Sequence, residues 1–289
     1  PAPAARALYE TSAQILCGEL AELHSIDKIT IPGPAGDIPA LHYRPTAEEG
    51  LPILVFYHGG GYVIGSPQSH DVVCRELALQ ANCVVVSIDY RLAPEHKFPA
   101  AVDDAWAALE WVANHGEELH GDSSRLAVAG DSAGGNLAAV VSLMARDAKA
   151  PALAFQLLIY PGTDLVCSYP SHDAFGNDYL LTKNLIDWFM NHYFVEGEDR
   201  SQWLASPMNA DSHAGLPPAF VLSAGFDPLQ DEEAAYVAKL QQAGVNVEHS
   251  HYEGMIHGFI TMPGVLQESR NAIRECAEKL KAGFANTNN

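Results

Sequence analysis

From Pro52 onward the chain repeats one texture: a short continuous run of apolar residues, then a stretch of helical periodicity, then another run. The runs are Ile53–Tyr57, Cys83–Asp89, Leu126–Ala129, Phe155–Tyr160, Ala219–Ala224 and Val247–Tyr252. Helical patterns occupy Asp71–Gln80, Asp103–His115, Gly135–Asp147, Asp231–Ala243 and Gly264–Ala282. A strand without polar alternation must be covered on both faces, and strands of that kind alternate with helices when the sheet is mainly parallel. Ile26–Ile31 and Ile38–Tyr43 alternate instead and are joined by the turn-rich segment Pro32–Asp37, so they read as an antiparallel hairpin or meander at one edge. The expectation is an α/β core, a mostly parallel sheet of about eight strands flanked by helices.

One interval breaks the alternation. More than fifty residues separate Tyr160 from Ala219, far more than a crossover needs, and a structureless loop of that length is rare in a compact domain. Leu180, Leu181, Leu185, Ile186, Trp188, Phe189, Tyr193 and Phe194 make it too apolar for a lone exposed helix. The first 23 residues carry Leu8, Ile15, Leu16, Leu20 and Leu23 at roughly helical spacing and predict one or two helices. The expected organisation is therefore an N-terminal part of a cap (1–25), a first part of the core (26–162), a cap insertion (163–207) and a second part of the core (208–289). The N-terminal helices are the expected packing partner of the insertion.

Gly130-Asp131-Ser132-Ala133-Gly134-Gly135 holds a G-x-S-x-G pattern between an apolar run and a helical one. A strand turning that sharply into a helix exposes the central serine at the helix N-terminus. The bare pattern is as often a simple glycine-rich turn, so the remaining residues decide. A serine hydroxyl is a weak nucleophile and needs a base, which in turn needs an orienting carboxylate. Asp227 and His257 each follow an apolar run, in the chain order Ser, Asp, His, at the sheet edge where such loops gather. Asp231 and Glu232 compete with Asp227, but their place within the next helix reads as solvated or capping. Among thirteen histidines, His257 is singled out by that position and by its glycine neighbours. His58-Gly59-Gly60-Gly61 follows another run, and its uncovered N–H groups suit an oxyanion hole, with Gly59, Gly60 and Ala133 as the expected donors. No phosphate-loop lysine follows the glycines. His249 and His251 alternate on a strand without the partners a metal site needs, so no metal is expected.

Composition narrows the partners. A net charge of −20 disfavours nucleic acid and anionic lipid surfaces, and a neutral or cationic small molecule fits better. Hydrophobic residues at 48% suffice for a sizeable core, and no apolar stretch is long enough for a membrane anchor. Cys17, Cys74, Cys83, Cys167 and Cys276 are scattered without paired spacing, which points to a reduced, cytoplasmic setting. The chain opens on Pro1 rather than Met, which leaves a preceding segment and secretion open.

His58-Gly59-Gly60-Gly61, Asp89–Glu95, Gly130–Gly135, Asp227-Pro228-Leu229 and His257-Gly258-Phe259, in that order, resemble the bacterial hormone-sensitive-lipase-like carboxylesterases of the α/β-hydrolase superfamily. The resemblance runs from about Ile29 to the C-terminus. It implies hydrolysis of short to medium acyl esters, without a cofactor, under a helical cap, with Ser132, Asp227 and His257 as triad. It also implies that Tyr90–Glu95 braces the oxyanion segment. The N-terminus looks shorter than in a complete member. Adjacency to these motifs nominates Tyr62, Leu229, Ile256 and Phe259 as pocket residues for a small ester substrate, with Trp188 and Phe189 from the insertion. An amidase or peptidase would use the same triad, a ligand receptor on this fold would dispense with it, and a homodimer stays open.

Overall fold

A computed structural model describes residues 1–166 and 169–285, so Cys167 lies outside the described residues. The chain begins with α1 (Ala2–Leu16), followed by the strands β1 (Ser25–Gly33), β2 (Gly36–Arg44) and β3 (Leu51–Tyr57). Helices and strands then alternate: α2 (Asp71–Ala81), β4 (Val84–Ile88), α3 (Ala100–Asn114), β5 (Gly121–Asp131), α4 (Ala133–Ala148) and β6 (Phe155–Ile159). After β6 come α5 (Ser171–Ala174) and α6 (Lys183–Tyr193), then β7 (Ala219–Phe226), α7 (Gln230–Gln242), β8 (Val247–Ile256) and α8 (Gln267–Ala285).

The strands form one sheet in the order β1-β2-β4-β3-β5-β6-β7-β8. Only β2 runs against the rest, pairing antiparallel with both β1 and β4. Every residue of β3, β4 and β6 is buried, as strands without alternation require. One face of the sheet packs on α3, α4 and α7, and the other on α2 and α8, giving two apolar layers. Because β3 and β5–β8 are parallel, the loops after Tyr57, Asp131, Ile159, Phe226 and Ile256 all leave from the same edge. Parallel pairing is thus what gathers residues distant in sequence into one place.

The N-terminal stretch forms one helix, not two. α1 ends at Leu16, where Leu16 O accepts the N–H of Gly264 (2.9 Å) and the chain crosses the segment before α8 in close contact. Within the interval after β6, α6 is opened by Thr182, whose Oγ1 accepts the Leu185 N–H (3.2 Å). Its buried residues Ile186, Phe189, Met190 and Tyr193 fall at helical spacing on one side. That side packs on the core, in the same apolar cluster as Ala2, Ala5 and Tyr9 of α1. Tyr193 stacks on Tyr62 with ring centroids 3.9 Å apart, and its carbonyl accepts the Phe98 N–H (2.8 Å). The aromatic surface of the insertion finds aromatic partners beside the glycine loop. α1 is held on other core loops, where Arg6 donates to Val63 O (2.8 Å) and Ala93 O (2.8 Å), and Ser66 Oγ donates to Glu10 (2.6 Å).

Candidate active site

Ser132 sits between β5 and α4 with φ 54° and ψ −116°, a conformation that non-glycine residues rarely adopt. The turn survives because its neighbours are glycines: a Cβ on Gly134 would lie 1.8 Å from Tyr57 O at the end of β3. The elbow is also tied to the next strand, since the Ser132 N–H donates to Ile159 O (2.9 Å). Ser132 Oγ lies 2.8 Å from His257 Nε2, and His257 Nδ1 lies 2.6 Å from Asp227 Oδ2. A carboxylate can only accept, so the imidazole proton sits on Nδ1 and leaves Nε2 free to take the serine proton. Asp227 is fully buried, and its second oxygen accepts the Leu229 N–H (2.8 Å). The three residues come from three separate strand ends.

The glycine loop is arranged differently from the expectation. The Gly59 N–H donates to Asp131 Oδ1 (2.8 Å), so it is consumed inside the protein, and Gly59 does not border the cavity. Gly60, Gly61 and Ala133 do border it, beside Ser132. Gly61, which the sequence did not nominate, borders the cavity, whereas the nominated Gly59 spends its N–H on Asp131. Asp131 also faces His70 Nε2 at 3.1 Å, and both side chains are buried. Burial works against charge on each, but the pair outweighs it: His70 is held above its ordinary value and Asp131 below its own. His58 stacks on Tyr90 (4.3 Å), and burial pushes its imidazole down to about 3, so it is neutral. Tyr90 OH donates to His58 O (2.6 Å) and the Ala93 N–H to Tyr62 O (2.8 Å), so the segment after β4 supports the glycine loop.

A cavity of about 440 Å³ opens over Ser132. Its walls are apolar: Tyr9, Ala13 and Leu16 of α1, Leu165, Leu181, Ile186 and Phe189 from the interval after β6, and Tyr62, Ile64 and Leu229 from the core. Of the residues nominated from the sequence, Tyr62, Leu229 and Phe189 border this space. Trp188, Ile256 and Phe259 do not. Trp188 is half-buried at the edge of the core, against His192 (4.2 Å) and Phe189 (5.3 Å). Phe259 is wholly buried between Tyr160 and Tyr252, and Ile256 packs in the same layer on the opposite side of the sheet.

Glu232 is a second correction. It is fully buried and borders the cavity, where it accepts the N–H groups of Thr163 (2.7 Å) and Asp164 (3.2 Å) and faces His172 Nε2 (3.0 Å). Asp231 caps nothing of its own helix and instead accepts the Ser171 N–H (2.9 Å). His249 and His251 share Ser223 Oγ, at 2.8 Å each. Among the described residues no cluster of three or more His, Cys, Asp or Glu is placed to hold a metal, and no helix is long and apolar enough to cross a membrane.

Residues 54–261 match a family model described as the alpha/beta hydrolase fold. The carboxylic ester hydrolase LipN of Mycobacterium tuberculosis is 46% identical over 82% of this chain and 65% of its own length. The chain belongs to the hormone-sensitive-lipase-like α/β hydrolases. Ethyl acetate hydrolase of Pseudomonas putida is 36% identical over 96% of this chain and 89% of its own. Among solved structures, a thermostable carboxylesterase from a metagenomic library, EstE1, superposes with a TM-score of 0.96 at 40% identity, covering 98% of both chains. This α/β hydrolase thus shares its whole architecture with esterases.

Proposed function

We propose that this α/β hydrolase is a serine carboxylesterase acting on short to medium acyl esters, with Ser132 as nucleophile, His257 as base and Asp227 as orienting acid. The observation that carries the reading is the hydrogen-bonded sequence Ser132–His257–Asp227, at 2.8 and 2.6 Å, at the wall of an apolar cavity edged by Gly60, Gly61 and Ala133. As Ser132 Oγ bonds to the ester carbonyl carbon, its proton passes to His257 Nε2, and the carbonyl π pair moves onto oxygen. The N–H groups of Gly60, Gly61 and Ala133, residues that border the cavity beside Ser132, are the donors this reading assigns to that charge. Collapse of the intermediate breaks the bond to the alcohol oxygen, which leaves with the proton from His257. Water, deprotonated by the same imidazole, then releases the acid and restores Ser132.

The cavity's size and apolar walls support an uncharged ester with a modest acyl group. Esterase names among the relatives, ethyl acetate hydrolase included, support the same class. Cys74, Cys83 and Cys276 are buried free thiols, which supports a reducing, cytoplasmic setting. The test is a panel of acyl esters and matched amides on the purified protein with Ser132→Ala as blank, together with a fluorophosphonate label located by mass spectrometry. The reading expects ester turnover and an adduct on Ser132. An adduct on another serine, wild-type turnover in Ser132→Ala, or faster cleavage of the amides would sink it.

A further inference from the structure

Glu232 is a wholly buried carboxylate, and its hydrogen bonds run to the insertion that roofs the cavity. One oxygen accepts the N–H groups of Thr163 (2.7 Å) and Asp164 (3.2 Å), where the chain departs from β6. The other accepts from Nε2 of the buried His172 (3.0 Å) in α5. Thr163 Oγ1 returns a bond to the Glu232 carbonyl (3.3 Å). A single side chain thus pins two points of the insertion, and Leu165, which borders the cavity, lies between them. Beside it, Ser171 donates through N to Asp231 (2.9 Å) and through Oγ to Pro228 O (2.6 Å).

The physics of this anchor differs from that of apolar packing. A helix held by side chains such as Phe189 and Tyr193 can slide or tilt at small cost, because dispersion is non-directional. A buried carboxylate cannot lose its donors without a large penalty, so the insertion has one position in which Glu232 is satisfied. That position fixes the distance between Leu165 on the insertion and Leu229 on the segment that carries Asp227, both on the cavity wall.

We propose that Glu232, through Thr163, Asp164 and His172, is a positioning residue that sets the depth of the cavity and thereby the acyl-length preference of the enzyme; this rests on the esterase reading above. It touches no reacting atom. The measurement is kcat and KM for p-nitrophenyl esters from acetyl to octanoyl, with fluorophosphonate labelling of every variant. Glu232→Ala is expected to move the acetyl-to-octanoyl ratio of kcat/KM at least tenfold toward octanoyl. Glu232→Gln keeps an oxygen for the two N–H groups and an NH₂ that donates to His172 Nε2 once the imidazole proton sits on Nδ1, and is expected to hold the wild-type ratio within about threefold. His172→Ala removes the α5 half of the anchor and is expected to move the ratio in the same direction as Glu232→Ala, by less, which keeps the test open should Glu232→Ala fail to fold. An unchanged ratio in a folded Glu232→Ala or His172→Ala overturns the proposal, as does an equal fall in kcat at every chain length. A wild-type protein that neither takes the label nor cleaves any of these esters overturns the esterase reading instead.

Discussion

On the floor of the cavity the groups around Ser132 are held by directional bonds to other buried groups, with Gly59 on Asp131, Asp131 on His70, His257 on Asp227 and Asp227 on Leu229. The roof is held largely by apolar contact. Phe189 lies where a Cβ on Gly61 would fall 2.3 Å from its ring, and Tyr193 stacks on Tyr62. Directional bonds place atoms to within tenths of an ångström, which transition-state stabilisation needs, whereas apolar contact defines a volume. The floor should therefore govern kcat and the roof KM and preference, with Glu232 a buried side chain through which the roof also uses the floor's kind of bond.

The sharpest separation is expected from Asp227→Asn, which keeps the shape but presents the wrong partner to His257 Nδ1, for a fall in kcat of roughly 10⁴-fold with KM little changed. Steady-state kinetics check this, and an unchanged kcat would move the orienting role to another carboxylate. Asp131→Ala comes next. It frees Gly59 and strands His70, so the glycine loop loses its register with Ser132, and kcat should fall about 10²-fold, near the loss of one oxyanion donor. A trifluoromethyl ketone inhibitor should weaken in parallel with kcat/KM. If its affinity stayed at the wild-type value, the loop would not depend on Asp131.

Phe189→Ala tests the roof. Loss of the ring should raise KM about tenfold, with a smaller effect on kcat, because it removes apolar contact rather than a bond to the reacting centre. A larger effect on kcat than on KM would erase the distinction between the two regions. The floor also carries a pH signature. His70 is raised, so its contribution to stability is complete below its ordinary 6.5 and is lost as pH rises through the raised value. Asp131 is depressed, so its contribution is present above its ordinary 3.8 and is lost as pH falls through the lowered value. The melting-temperature gap between wild type and His70→Gln should be widest between those limits and narrow on the alkaline side. The smallest effect is expected for Arg6→Ala on the α1 side of the roof. Its pairing with Glu95 is exposed, and loss of the bonds to Val63 and Ala93 should cost about 1 kcal/mol and raise KM two- to threefold. Denaturation midpoints and KM measure both.

The sheet, its strand positions and the Ser132, Asp227 and His257 loops are legible because continuous apolar runs and glycine-flanked turns are local signals. Directions of side chains are not. Ile256 and Phe259 flank His257 in sequence, yet the chain aims them into the layer beneath the opposite side of the sheet. Gly59 and Gly61 are indistinguishable as letters, and only the approach of Asp131, distant in sequence, decides which N–H is spent. Glu232 did leave a trace: with Tyr236 and Leu240 it forms an i, i+4, i+8 stripe whose other members are buried. A carboxylate on such a stripe is a buried one awaiting donors. α1 and α6 border the same cavity, and what the sequence left illegible is how each is also held on the core, Arg6 by carbonyls and Tyr193 by the ring of Tyr62.

The two apolar layers of the sheet divide the molecule into a working half and a silent one. None of the residues bordering the cavity belongs to α2 or α8, and Arg274, Glu278 and Lys281 project from α8 into solvent. A support, dye or fusion partner coupled through Lys281 would hold the molecule by its back, leaving α1 and α6 facing the solution. Immobilised in that orientation, the catalyst should keep both its turnover and its substrate preference.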